Sequence, residues 1–442
     1  MQTETWTFRR LSLAVTLVLV ALIGITPSAR AGDEEKPAVN GKNSKIQLSG
    51  TGWVVYRYLL ADEIRASAPK GFLSSAGVDR QDANSFDLDR VQLTGDYFFN
   101  DRLTWRTVLE GDNLGGVARL YVKNAFFRVK DPCGLPNTSF KFGLYPHGMT
   151  ATIDDLWGYR LVSENSLNRY FGVGSAYTGV GIDTKLAKGV VDLDLAIANE
   201  LGYNKGLTVP FSLKLDDPKA TKDESNRSKY KTFMGRVILT PPGEDPLLKS
   251  FHLTLFGQRN GKNPVSPSAA DAATYVPANE LPKSAADNRN LWFEAFPYFK
   301  KGKLVAGLEY GLGWSSSTKL AKRVVGNAFP ALELTDVRSS YLGGVATYQI
   351  LPKLGCFARL DLFDPDKDSD GSWTGTESAP KDIKGLKTTN VLAGVSHTVV
   401  AGVRGIIDVE YTKFENPKNK VGGAELTLDP DITISARMEV KL

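Results

Sequence analysis

The segment 432–442 alternates without a break. Ile432, Ile434, Ala436, Met438, Val440 and Leu442 fall on one side, and Thr433, Ser435, Arg437, Glu439 and Lys441 on the other. A pleated strand turns successive side chains to opposite faces, so this segment reads as a strand with one apolar and one charged face. In a soluble sandwich the charged face is the outside; in a membrane barrel the apolar face meets lipid and the charged face a wet lumen. One strand does not separate the two. Comparable runs recur near 45–59, 86–99, 103–111, 118–130, 138–146, 177–187, 190–199, 229–240, 250–259, 290–300, 304–315, 339–350, 356–363, 387–398, 403–414 and 431–442. Most approach the roughly 9 to 11 residues that a tilted membrane strand needs. The clearest are 190–199 and 403–414; the least clear is 118–130, where Lys123 and Asn124 leave neither face clean.

The connections separate the readings. Short ones at Asn100 and Asp101, 131–137, Lys188 and Gly189, 241–249, 301–303, 351–355 and 399–402 are rich in the Gly, Pro, Asn and Asp of tight turns. They alternate with long polar ones such as 60–85, 147–176, 200–228, 260–289 and 316–338. Short periplasmic turns opposite long external loops are the asymmetry of outer-membrane barrels. The expected fold is all-β: a transmembrane antiparallel β-barrel of about 16 strands over 45–442, closed so that no strand edge meets lipid.

At the amino end, Arg9 and Arg10 precede an apolar run over 11–25 and the small-x-small triplet Ala29, Arg30, Ala31. That pattern predicts an export signal over 1–31, followed by a polar lead-in over 32–44. A near-balance of 54 basic and 49 acidic residues, with 42 glycines, fits a large β structure and argues against a nucleic-acid partner.

Four stretches carry a resemblance: Phe86-Asp87-Leu88-Asp89-Arg90-Val91-Gln92-Leu93, Phe140-Lys141-Phe142-Gly143-Leu144-Tyr145-Pro146, Trp157-Gly158-Tyr159-Arg160 and Arg359-Leu360-Asp361-Leu362-Phe363-Asp364-Pro365. With the strand order, they resemble the phosphate-selective porin O/P-like family over most of 45–442. The resemblance implies a sixteen-stranded, trimeric outer-membrane diffusion channel whose third external loop folds inward. The carboxyl-terminal Leu442 departs from the aromatic residue that ends many relatives and is read by the barrel assembly machinery.

Taking each apolar face as outward, the inward set includes Arg57, Arg90, Arg106, Arg236, Arg359, Arg404, Arg437 and Lys441, beside Asp96, Glu110, Asp192, Asp194, Glu294, Glu309, Asp361, Asp408, Glu410 and Glu439. Unpaired guanidinium groups would favour anions, because each stays charged and presents a fixed fork of donors. Cross-strand pairing with the carboxylates is the competing expectation. The long 147–176 connection is the constriction candidate, with Asp154, Asp155, Arg160, Glu164 and Arg169 among Trp157, Tyr159 and Tyr170; a surface loop packed by its own aromatics is the alternative.

Asp366, Asp368 and Asp370, then Gly371 and Glu377, have the spacing of a calcium-binding loop, so the 364–377 connection is a candidate Ca2+ site, with the Ser372 carbonyl completing the set. No cofactor is otherwise required. Cys133 and Cys356 are expected as two separate thiols, on strands about half a barrel apart. His147, His252 and His397 are scattered, and no nucleophile, phosphate or zinc motif appears, so an enzyme is not expected. The function read is a diffusion channel for small hydrophilic solutes, anions such as phosphate among them. A non-conducting structural or adhesive barrel and a transporter for a larger substrate remain open.

Overall fold

The computed structural model describes residues 46–61, 84–114, 117–171, 173–202, 231–261, 289–320, 332–365, 387–415 and 430–442. The strands are β1 (Ile46–Ala61), β2 (Asn84–Phe98), β3 (Leu103–Leu114), β4 (Val117–Lys130), β5 (Thr138–Pro146), β6 (Ala176–Leu186), β7 (Val191–Gly202) and β8 (Lys231–Leu239). The second half holds β9 (Phe251–Gly261), β10 (Arg289–Lys301), β11 (Leu304–Leu320), β12 (Leu332–Leu351), β13 (Leu354–Asp364), β14 (Thr388–Val400), β15 (Val403–Phe414) and β16 (Asp431–Lys441). Each strand pairs with its chain neighbours, and β1 pairs antiparallel with β16, closing the barrel. The seam is completed by Gly50 N–H to the Leu442 carbonyl and Leu442 N–H to the Gly50 carbonyl.

The apolar faces point outward. Leu48, Phe86, Leu93, Phe142, Phe233, Leu308, Leu342 and Met438 are exposed, an arrangement that water would oppose and lipid rewards. Tyr97, Phe99, Trp105 and Phe127 form a chain of ring contacts near the short turns, as an aromatic belt at a membrane interface requires. Among the described residues no helix is long and apolar enough to cross a membrane.

Two strands change phase. In β2, Trp53 of β1 pairs with Arg90 while Val54 pairs with Leu88, so Asp89 is an extra residue. In β4, Asn124 pairs with Val108 and Val122 with Leu109, which makes Lys123 extra. Such bulges let two consecutive side chains serve one face. Both aim charge at β3 between them. The fully buried Glu110 carboxylate receives Lys123 Nζ at 2.6 Å, Tyr121 Oη at 2.5 Å and the Gln92 amide, with Arg90 at 3.3 Å. The two interrupted faces of 118–130 are therefore one bulged strand.

Two expectations about connections are corrected. Strands β3 and β4 are separated only by Gly115 and Gly116, so one external connection is short. The hairpin β11–β12 is longer than expected: its pairing runs on to Leu320 and Leu332 and takes most of the 316–338 loop, because backbone pairing continues past the apolar band. Cys133 and Cys356 are both free.

Gly143 of β5 adopts φ +121, and a Cβ there would collide with the Ala125 carbonyl oxygen. This close approach lets β5 pack against β4 where a side chain would collide with its backbone. A Gly143→Ala barrel is expected to lose at least about 1 to 3 kcal/mol from the backbone conformation alone, measurable as a lower urea midpoint in lipid vesicles.

Candidate functional site

After β5 the chain turns into the barrel. The 147–175 loop forms helix α1 (Gly148–Trp157) and the single turn α2 (Ser166–Arg169). His147 caps α1: its Nδ1 accepts from Thr150 N–H at 3.3 Å, leaving Nε2–H to donate to Gln258 Oε1 on β9 at 3.0 Å. Gly158, in the left-handed region at φ 68, ends the helix. A helix of ten residues is about 15 Å long, enough to form a chord across part of the lumen.

The loop docks by packing. Met149, Ile153, Trp157, Leu161, Val162 and Leu167 are buried against inward Phe256, Trp292, Phe296, Phe357, Leu392 and Ile406. Fully burying each such side chain is worth about 1.5 to 3 kcal/mol, so the interior apolar patch holds the loop inside rather than in solvent. Its aromatics pack on the wall and not only on themselves: Trp157 and Tyr159 contact Phe357, and Tyr170 stacks on Phe363.

The loop carbonyls are then claimed by wall arginines. Arg236 donates to Gly148 O and Thr152 Oγ1, Arg404 to Gly158 O, Arg437 to Leu161 O and Arg359 to Glu164 O. Each also pairs with a carboxylate: Arg236 with Asp192 at 2.5 Å, Arg404 with Glu439 at 2.9 Å, Arg437 with Asp408 at 2.7 Å and Arg359 with Asp361 at 2.8 Å. Arg169 reaches the wall in the other sense, donating to Glu410 at 2.6 Å. These five arginines tie the loop to β8, β13, β15 and β16.

The remaining sequence candidates lie on the other side. On β1–β4, Arg57 pairs with Asp89 at 3.0 Å and Asp87 at 3.5 Å, Arg106 with Asp96 at 2.7 Å, and Arg90 and Lys123 with Glu110. Arg160 spans Asp154 and Glu164, each at 3.3 Å. Burial raises the pKa of Asp154, and Arg160, the Asn165 amide and Lys123 of β4 oppose that rise, which places this edge of the loop within electrostatic reach of the β3–β4 wall. Asp155 is exposed and looks elsewhere, toward Lys300 of β10. Thus no arginine of the candidate set stands alone, and the Asp154 and Arg160 edge of the loop faces Lys123 on the β3–β4 wall, with Arg57 toward the external end of β1 and Arg106 toward the periplasmic end of β3.

The order of charge in that arc matters. The Glu110 side chain is 0% exposed whereas Arg90 and Lys123 are 16% and 15%; Asp96 is 11% and Arg106 41%. At Glu110 and Asp96 the carboxylate forms the wall and the cation lies on its water side, whereas Arg57 shares the surface with Asp87 and Asp89. Lys123, Tyr121 and Gln92 were not among the sequence candidates; the phase change at Lys123 and Asn124 was their visible signal. The Asp366, Asp368, Asp370 and Glu377 set and the 1–44 segment lie outside the described residues.

Burial pushes the His147 imidazole down to about 4, against the opposing pull of its bond to Gln258. An undocked ring binds a proton below about 6.5. Docking is therefore at full strength above that pH and weakens as pH falls toward 4, by roughly 3 kcal/mol in all. Current noise from loop opening is expected to rise between pH 7 and 4.5. His147→Asn, which keeps a capping side chain without the titration, should flatten that rise.

No family model matches the chain, and no curated protein matches it. Solved structures do match its fold. A Pseudomonas putida OprB structure aligns with TM-score 0.54 at 9% identity over 90% of this chain and 94% of that one. The anion-selective porin from Comamonas acidovorans gives 0.53 at 10% identity, covering 90% and 99%. The outer membrane channel DcaP of Acinetobacter baumannii gives 0.52 at 12% identity, covering 90% and 97%. The likeness is one of fold, and the fold is that of the outer-membrane barrels of Gram-negative bacteria.

Proposed function

We propose that this chain is an outer-membrane diffusion channel for small hydrophilic solutes that favours anions. The observation that carries the reading is the inward loop, packed and clamped on one side of the lumen, which supports a barrel narrowed at that level. Charges at such a constriction act more strongly on a solute than charges on a wide wall. Because Arg90 and Lys123 overlie Glu110 on the wall that faces the Asp154 and Arg160 edge of the loop, a permeating ion meets those cations first. Phosphate as a preferred solute is supported by the resemblance of the four sequence stretches alone. A homotrimer is the assembly that the same resemblance implies, with outer-membrane lipid around it and the barrel assembly machinery acting on its last strand. None of this requires an enzymatic step or a cofactor.

Liposome swelling tests the reading. Vesicles carrying the protein should swell in isotonic pentose and faster in a small anionic sugar acid, with rates falling steeply as solute size increases. No swelling would favour a structural or adhesive barrel. Saturable uptake of one larger solute would favour a dedicated transporter.

A further inference from the structure

The lipid-facing wall is uneven. Ala306 of β11 pairs with Ala346 of β12, Ala346 with Ala358 of β13, and Ala358 with Ala393 of β14, so these alanines lie side by side on one face. That face is the outward one, because the exposed Leu308, Leu342, Leu360 and Val391 share it by alternation. Gly344 continues the strip on its external side, between Leu308 and Leu360. A Cβ at Gly344 would meet nothing nearer than 3.6 Å, so the packing of the barrel itself does not require a glycine there. The small residues leave a groove of about 980 Å³ in the outer surface, running from Leu360 and Val391 down to Pro241, Phe251 and Phe299. The rings of Phe251 and Phe299, 4.8 Å apart, flank its periplasmic mouth.

Positive charge gathers at the same end. Lys301 follows Phe299 by two residues on the same face of β10, about 7 Å nearer the periplasm. Lys303 belongs to the β10–β11 turn and Lys353 to the β12–β13 turn, and all three lysines are exposed. No acid falls within 295–308 or 343–360. Among the described residues none of the three forms an ion pair; Lys303 reaches only the Ile350 carbonyl, at 3.5 Å. The β8–β9 turn on the other flank holds Lys249 with Glu244 and Asp245, so the surplus cations lie on the β10–β13 side.

We propose that this groove binds one anionic glycerophospholipid of the periplasmic leaflet. Its acyl chains lie along the alanine strip, and its phosphodiester meets Lys301, Lys303 and Lys353 at the mouth. The charge decides the occupant. A bare acyl chain would use the groove and leave the lysines idle, and a zwitterionic headgroup brings an ammonium of its own. A phosphodiester without that ammonium, fixed between two chains and water, uses both halves of the site, and an ammonium is a sufficient partner for it. The site needs the outer-membrane setting and no flux of solute through the lumen.

The test is native mass spectrometry of the purified protein in non-ionic detergent, titrated with dioleoyl phosphatidylglycerol or with dioleoyl phosphatidylcholine. One phosphatidylglycerol should be retained per barrel at a concentration at least tenfold below that needed for phosphatidylcholine. Each lysine beside an anionic headgroup is worth about fivefold in binding, so Lys301→Gln, Lys303→Gln, Lys353→Gln protein should lose at least tenfold and fall to the level of phosphatidylcholine. Ala346→Phe fills the groove and should weaken both lipids. Heat-modifiable migration shows that each variant is folded, and the lysine variant should keep the unit conductance of wild type, since these turns lie outside the lumen. Equal retention of the two lipids by wild type, or unchanged phosphatidylglycerol binding in the lysine variant, overturns the proposal. An oligomer that binds no lipid and dissociates in Ala346→Phe would give the groove to a second copy of the chain and overturn it too. A silent bilayer would count against the channel and leave the lipid result standing.

Discussion

Replacing Arg359 by methionine is expected to cost about 3 to 5 kcal/mol of stability and to enlarge the single-channel conductance. Arg359 and Asp361 are both 0% exposed, and the guanidinium Nε donates to both carboxylate oxygens at 2.8 and 3.0 Å. Asp361 also accepts from Tyr341 at 2.6 Å and Tyr170 at 3.0 Å, so the arginine neutralises a charge that a whole cluster has been built around. Removing it leaves that carboxylate uncompensated in the interior, the expensive way of breaking a buried pair. The loop loses its donor at Glu164 O at the same time, so the passage should widen. Arg359→Met combined with Asp361→Leu should recover most of the stability, because replacing both partners by apolar groups is close to neutral. It should not recover the narrow conductance, since the loop anchor is still missing. Urea unfolding in lipid vesicles beside bilayer recording checks both halves. A single variant within about 1 kcal/mol of wild type would show that the pair does not hold the loop.

Arg57→Gln with Arg106→Gln is expected to shift the reversal potential several-fold in permeability ratio toward cations. These side chains are 35% and 41% exposed, so the change should act on permeating ions with little effect on folding. Their partners Asp87, Asp89 and Asp96 remain and are uncovered, so two cations beside three carboxylates become three carboxylates alone. Screening sets the conditions: the Debye length is about 10 Å at 0.1 M salt and about 3 Å at 1 M, so the shift should be large in dilute salt and fade in concentrated salt. An unchanged reversal potential at low salt would remove these residues from selectivity. Arg160→Gln should act in the same direction. Arg169→Gln should act through loop docking instead, since Arg169 is bound to Glu410 on the wall.

The strands were legible because lipid enforces alternation on every one of them, and all sixteen runs found by alternation are strands. Even the bulges leave a trace, since the outward apolar spacing changes from two to three between Leu88 and Val91 and between Val122 and Ala125. The inward loop was legible as an excess of length and charge. Its partners were not. Which arginine meets a loop carbonyl depends on strand register and on the side of the lumen where the apolar patch lies, and that patch is made by single residues such as Phe256, Phe357, Leu392 and Ile406 set among polar neighbours on separate strands. Alternation marks those residues as inward and apolar, an anomaly in a wet lumen, and the docked loop is what explains them. The same contacts divide the lumen arginines into loop anchors, Arg236, Arg359, Arg404 and Arg437, and Arg57, Arg90 and Arg106, which pair with carboxylates of their own wall, two settings that the sequence pattern presents as one.

The most direct measurement is the zero-current potential of purified protein in a planar bilayer across a tenfold potassium chloride gradient at low ionic strength. A barrel narrowed by its third external loop beside a cation-covered wall should conduct in discrete steps with a potential on the chloride side. A silent bilayer, or a potential on the potassium side, would contradict it.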